Sequence, residues 1–95
     1  MVTNNLLIRL KQRDQASIQK AVHLLSGLKG NIPVLLDSRV EADVRAGDSS
    51  YDIMLINTFK STEDIPVYLI HPVHVEIAKS ITAVIEMSAS LCYES

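Results

Sequence analysis

One tyrosine, two histidines and a proline stand together in Tyr68-Leu-Ile-His-Pro-Val-His74. A histidine can take or give a proton near neutral pH, and a tyrosine hydroxyl can orient or polarise a substrate oxygen. Tyr68 and His74 are therefore the candidate acid–base pair of this chain. Geometry sets a condition on them. In a straight helix residues six apart point about 120° away from each other, whereas Tyr68 and His71 would be neighbours. Proline removes a backbone donor, clashes one turn back and pushes the preceding residue out of the helical region. His71 should therefore end one helical segment and Pro72 open the next at its first position. A kink at Pro72 is what would bring Tyr68 and His74 to one cavity.

Beyond the proline, His74, Ile77, Ala78, Ile81 and Ile85 recur at helical spacing, so His74 should sit on the inward stripe. Glu76, Lys79 and Ser80 fall on the other side. A histidine at the head of an apolar stripe is either a core histidine satisfied locally or a residue of a site. As a site, the pair would line an apolar pocket between helices and sheet, with Ile77 and Ile81 in its lining and His71 beside it. His71 and His74 could share an ion with Glu76 only in helical register, which the proline spoils, so no metal is expected. No nucleophile elbow is visible, and Cys92 reads as an inert strand residue. No cofactor is implied.

These residues need a scaffold. Ninety-five residues make one domain, 47% hydrophobic and 21% charged. A chain this short buries a limited share of its surface, so a second subunit would help it. The net charge of −2, without a basic run, argues against nucleic acid as a partner. A single cysteine allows no internal disulfide and suits a reducing compartment. The first apolar run, Leu6 to Leu10, is broken by Arg9 and is too short for a signal peptide core or a membrane span. A soluble cytoplasmic protein is the expectation.

In order, Asn4 to Lys11 alternates as a strand, with Leu6, Ile8 and Leu10 on one face. Asp14 is a helix N-cap, and Ile18, Ala21, Val22, Leu25 and Leu28 form the stripe that follows, closed by Gly30 as C-cap. His23 lies off that stripe. Asn31-Ile-Pro33 leads into a long strand, Val34 to Val44, with Ser38, Val40 and Ala42 on one face and Leu35, Asp37, Arg39, Glu41 and Asp43 on the other. Residues 45–50 make a turn-rich connection with no phosphate-cradling pattern. Tyr51 to Phe59 is apolar on both faces in its middle, as a central strand should be. Ser61-Thr-Glu-Asp64 starts a helix, although Pro66 weakens its first turn unless the helix begins late. Glu86 to Tyr93 is the last strand. The order β, α, β, β, α, β is the ferredoxin-like α+β pattern, a four-stranded antiparallel sheet with helices on one face. The other face carries either Met54 and Ile56 or Ile53 and Leu55, depending on register. Pairing two such sheets about a twofold axis would cover it.

The pattern Tyr-x-x-His-Pro-x-His resembles the signature of the stress-responsive α/β-barrel (Dabb) family. Leu-Lys-Gly-Asn-Ile-Pro at 28–33, Ser-Tyr-Asp-Ile-Met-Leu-Ile-Asn-Thr-Phe at 50–59 and a closing strand ending in Tyr93-Glu94 match in order. The resemblance implies a homodimer, paired through the sheets into a dimeric α+β barrel. Plant polyketide cyclases similar to this family use a tyrosine and a histidine matching Tyr68 and His74 as acid and base in an aldol-type ring closure. They also carry a histidine just before the first strand run, where this chain has Asn4. The resemblance thus adds Asn4 to the candidate ligand-binding residues. It supports two functions: a non-catalytic dimeric barrel binding a small apolar or aromatic ligand, or a cofactor-independent enzyme on polyketide-like or β-keto substrates. A cofactor-free monooxygenase ranks third.

Overall fold

The computed structural model describes residues 1–45 and 47–95. Its elements are β1 (Val2–Leu10), α1 (Gln15–Ser26), β2 (Asp37–Ala42), β3 (Ile53–Phe59), α2 (Asp64–Ile70), α3 (Pro72–Thr82) and β4 (Ile85–Glu94). The four strands form one antiparallel sheet in the order β2-β3-β1-β4. This is the expected ferredoxin-like α+β arrangement, with the second helical region divided in two.

Strand register decides which side chains meet the helices. Ile8 pairs with Ile53, Leu6 with Leu55 and Val40 with Leu55, so these side chains share one face. Ile8, Leu10, Ile53, Leu55 and Phe59 are buried there with Ala21 and Leu25 of α1 and Ile81 of α3. The opposite face carries Leu7, Met54 and Ile56, all half-buried, beside the exposed Met87, Leu91 and Tyr93 of β4. The open choice of register is thereby resolved: Met54 and Ile56 face away from the helices. Leu91, on the edge strand β4, is 67% exposed on that uncovered face.

Two element ends differ from the sequence reading. Helix α1 stops at Ser26, not before Gly30; Gly27 caps it in the right-handed region, its N–H reaching the carbonyls of Leu24 and Leu25. Turns then carry the chain to Gly30, whose φ of 79° is the left-handed conformation that glycine tolerates. Strand β2 covers Asp37–Ala42 rather than 34–44. The Leu35 N–H donates to the Ile32 carbonyl, and this turn tucks Leu35 into the core while Leu36 stays exposed. Alternation alone had put Leu35 on the charged face. Val44 lies beyond the strand and is fully open to solvent. Of the expected 45–50 connection, Ala46 lies outside the described residues. The Arg13 guanidinium grips its far end, donating to the carbonyls of Gly47 and Ser50 while pairing with the buried Asp52 at 2.9 Å. Asp52 also accepts from the Leu10 N–H, which fixes the end of β1.

Candidate functional site

Helix α2 begins late. The N–H groups of Asp64 and Ile65 first bond back to Ser61 and Thr62, so Pro66 falls in the first helical turn, where a backbone N–H has no intrahelical partner to lose. The helix runs only to Ile70. His71 is extended (φ −64°, ψ 136°), and Pro72 opens α3. This is the break expected from the proline.

Both histidines stitch that break. The Nδ1 of His71 accepts from the Val73 N–H at 3.1 Å, capping α3 in the role usually filled by serine or aspartate. His71 is thus held as a cap, with its proton on Nε2 when the ring is neutral. His74 lies 2.9 Å through Nδ1 from the Leu69 carbonyl. A carbonyl only accepts, so Nδ1 carries the proton and Nε2 keeps its lone pair when neutral. Leu69 is near the end of α2, where carbonyls lack intrahelical partners, and His74 satisfies one of them.

The bend brings Tyr68 and His74 into ring contact, centroids 4.5 Å apart and planes tilted by 51°. Phe59 closes the other side of the tyrosine edge-on at 5.2 Å. His74 does not point into the core, as its place on the stripe suggested. It lines an open groove of about 640 Å³ on the helical surface, with Leu69, Val75, Ala78 and Lys79. Tyr68 reaches the other way, down to the sheet, and is 6% exposed. The pair is therefore a bridge from helix surface to sheet rather than two walls of one enclosed pocket.

The remaining candidates divide. Asn4 pairs with Asn57 on the sheet face beneath Tyr68. Ile77 is directed at α1, where its Cδ1 comes within 3.4 Å of where a side chain on Gly27 would stand. Ile81 is buried in the core cluster. Ile85, expected on the helical stripe, instead begins β4 and pairs with Leu10, because α3 ends at Thr82.

Two residues that sequence reasoning passed over hold the tyrosine. The Nδ2 of Asn57 donates to the Tyr68 hydroxyl oxygen at 3.1 Å, and the hydroxyl of Ser38 donates to Oδ1 of Asn57 at 2.7 Å. Asn57 is 3% and Ser38 5% exposed. Their signal was present as polar residues at inward positions of strands that otherwise turn Ile53, Leu55 and Phe59 inward. Burial pushes the Tyr68 phenol above its usual range, opposed in part by the Asn57 hydrogen bond. Tyr68 is therefore a neutral hydroxyl through the physiological range, able to donate but not to act as a phenolate.

Register extends this into a row. Ser38 pairs with Asn57, Asn57 with Asn4, and Asn4 with Cys92, so one polar residue from each of the four strands lies across the helix-side face. The β2 and β3 end is sealed under Tyr68. At the other end Asn4 is half-buried and Cys92 exposed, as are Ser88 and Ser90 on the same face of β4. Among the described residues no group of three His, Cys, Asp or Glu side chains is placed to hold a metal ion. No described helix is long and apolar enough to cross a membrane.

The model of the stress responsive A/B barrel domain (Dabb) matches residues 5–94. The chain belongs to this family. Among solved structures it is similar to a dimeric ferredoxin-like protein of unknown function from Bacteroides fragilis, at 22% identity and a TM-score of 0.83, over 99% of this chain and 95% of that one. A dimeric ferredoxin-like protein from Thermobifida fusca superposes at a TM-score of 0.85 and 18% identity, over 99% of this chain and 90% of that one. The hydroxynitrile lyase of Passiflora edulis superposes at a TM-score of 0.78 and 20% identity, over 97% of this chain and 90% of that one. No curated protein matches the chain. At these identities the likeness carries the fold.

Proposed function

We propose that this Dabb chain, a single domain over residues 1–95, works as a homodimer that binds a small apolar or aromatic ligand on the helix side of its sheet, beside Tyr68 and His74. The observation that carries the reading is the Tyr68 bridge: an aromatic ring held between Phe59 and His74, with its hydroxyl tied to a polar row that opens at β4. Such a row offers a polar anchor flanked by apolar side chains, the usual composition of a small-molecule site.

Dimerisation through the other sheet face is supported by the exposed Met87, Leu91 and Tyr93 beside Leu7, Met54 and Ile56, an apolar face that no helix covers. The relatives from Bacteroides fragilis and Thermobifida fusca are described as dimeric. The free exposed thiol of Cys92 suits a reducing compartment, and we assign the protein to the cytoplasm.

A second reading, a cofactor-independent enzyme on polyketide-like or β-keto substrates, is favoured by the opposite roles of the two side chains. Tyr68 is a protonated donor, and Nε2 of neutral His74 is an acceptor. The test is a thermal-shift screen of aromatic and β-keto acids against the parent, Tyr68→Phe and His74→Ala, since a ligand that binds only the native state raises its melting temperature. The expected result is a concentration-dependent rise in the parent that is reduced in both variants. A rise preserved in both variants would move the site elsewhere. Turnover of a β-keto acid by the parent, lost in both variants, would favour the enzyme.

A further inference from the structure

We infer that Ser38 and Asn57 are positioning residues that hold the Tyr68 hydroxyl as a hydrogen-bond donor toward the ligand, so that the site selects small molecules presenting a bare oxygen acceptor, a carbonyl or carboxylate, over their hydrocarbon counterparts. This rests on the ligand site proposed above and adds the chemistry of what it takes.

The direction of the relay follows from the placement of the Asn57 amide. Its Oδ1 lies on the Ser38 hydroxyl, which donates to it, and its nitrogen lies on the Tyr68 oxygen. That nitrogen can only donate, so the tyrosine oxygen accepts. The phenol proton therefore points away from Asn57, and no side chain or carbonyl among the described residues takes it. Along the sheet the next residue of the row is Asn4, the cross-strand partner of Asn57, and beyond it lies the exposed β4 edge at Cys92. A buried hydroxyl whose accepting side is filled and whose donating side is unmet favours an acceptor-bearing group beside it and gains nothing from a methylene. Asn4, with an amide of its own, can donate a second hydrogen bond to the same oxygen. Burial of Tyr68 acts in the same sense, since it keeps the proton on the phenol.

The experiment has two arms on the intact protein. The first follows Tyr68 ionisation by the ring-carbon chemical shift in the parent, Ser38→Ala, Ser38→Thr and Asn57→Asp. His74 is the titratable group in contact with the ring. Ser38→Ala frees the Asn57 amide to turn, so the Tyr68 titration should move upward although Ser38 never touches the tyrosine; Ser38→Thr keeps the hydroxyl and should restore the parent curve. Asn57→Asp puts a carboxylate where the amide was, captures the phenol proton and should raise the titration as well. An unchanged Tyr68 titration in Ser38→Ala overturns the relay.

The second arm measures binding of matched pairs, acetophenone against ethylbenzene and phenylacetate against propylbenzene, by amide chemical shifts. The parent should bind the oxygen-bearing member on the order of tenfold or more tightly, and Tyr68→Phe and Asn57→Asp should lose that preference. Equal binding of both members by the parent overturns the selection. If no member of any pair binds although Ser38→Ala moves the titration, the ligand reading and the selection fall together while the relay stands.

Discussion

Removing one oxygen atom from the buried network should weaken the fold by an amount that depends on Asn57. Tyr68→Phe keeps the ring between Phe59 and His74 and deletes only the acceptor of the Asn57 amide. Asn57 is 3% exposed, so the freed N–H cannot turn to water without disturbing the core. An unsatisfied buried donor costs about 1–3 kcal/mol, and a domain of this size loses roughly 4–8 °C in melting temperature per kcal/mol. Tyr68→Phe should therefore melt on the order of 5–20 °C below the parent. In Asn57→Leu the tyrosine hydroxyl and Ser38 lose their shared partner, with a loss of similar size. The double variant replaces both ends of the bond by apolar groups and should be less destabilised than the two losses added, with a coupling of about 1–2 kcal/mol. Urea denaturation of the four proteins measures each stability. A Tyr68→Phe change within about 0.5 kcal/mol of the parent, or strict additivity in the double variant, would refute the network as an energetic unit.

The alkaline limb of stability should also belong to Tyr68. Its folded pKa is raised, so the stabilisation is fully present below the ordinary tyrosine value and is lost as pH rises through the folded one; Tyr68→Phe should flatten that decline in thermal melts from pH 8 to 11. His71→Ala removes the cap of α3 and should cost about 0.5–2 kcal/mol, with helix loss confined to the α2–α3 break in hydrogen exchange. Asp52→Ala strips Arg13 of its ion pair and the Leu10 N–H of its acceptor, and a loss of about 2–4 kcal/mol in chemical denaturation is expected. On the uncovered sheet face, Leu91→Glu should convert a dimer into a monomer by sedimentation at micromolar concentration, whereas a parent that already sediments as a monomer would remove the barrel assembly.

What the sequence made legible was local. Proline chemistry acts on its immediate neighbours, so the break at His71–Pro72 could be placed to the residue, and the Asp14 cap of α1 likewise. Alternation grouped the two faces of β1 and of β3 for the same reason, while which face of β3 turned inward waited on the register. It failed at Leu35, because the turn at Ile32 rotates that side chain into the core and no period of two can report a turn. The helical wheel grouped His74 with Ile77 and Ile81, yet a stripe about 100° wide does not say which neighbour each edge meets. Ile77 meets α1, while His74 meets the end of α2. The Ser38–Asn57–Tyr68 relay joins residues 19 and 11 apart through strand pairing. Its members look like ordinary polar residues until the register puts them in one row.

The central claim is that the Tyr68–His74 bridge and the polar row beneath it receive a ligand. Amide and side-chain chemical-shift mapping with the strongest ligand from the thermal screen tests it most directly. The shifts should concentrate on Asn4, Asn57, Tyr68, His74 and Cys92, and the Asn57 side-chain amide should move with them. Shifts confined to the outer sheet face around Leu7, Met54 and Leu91, with the Asn57 amide unmoved, would contradict it.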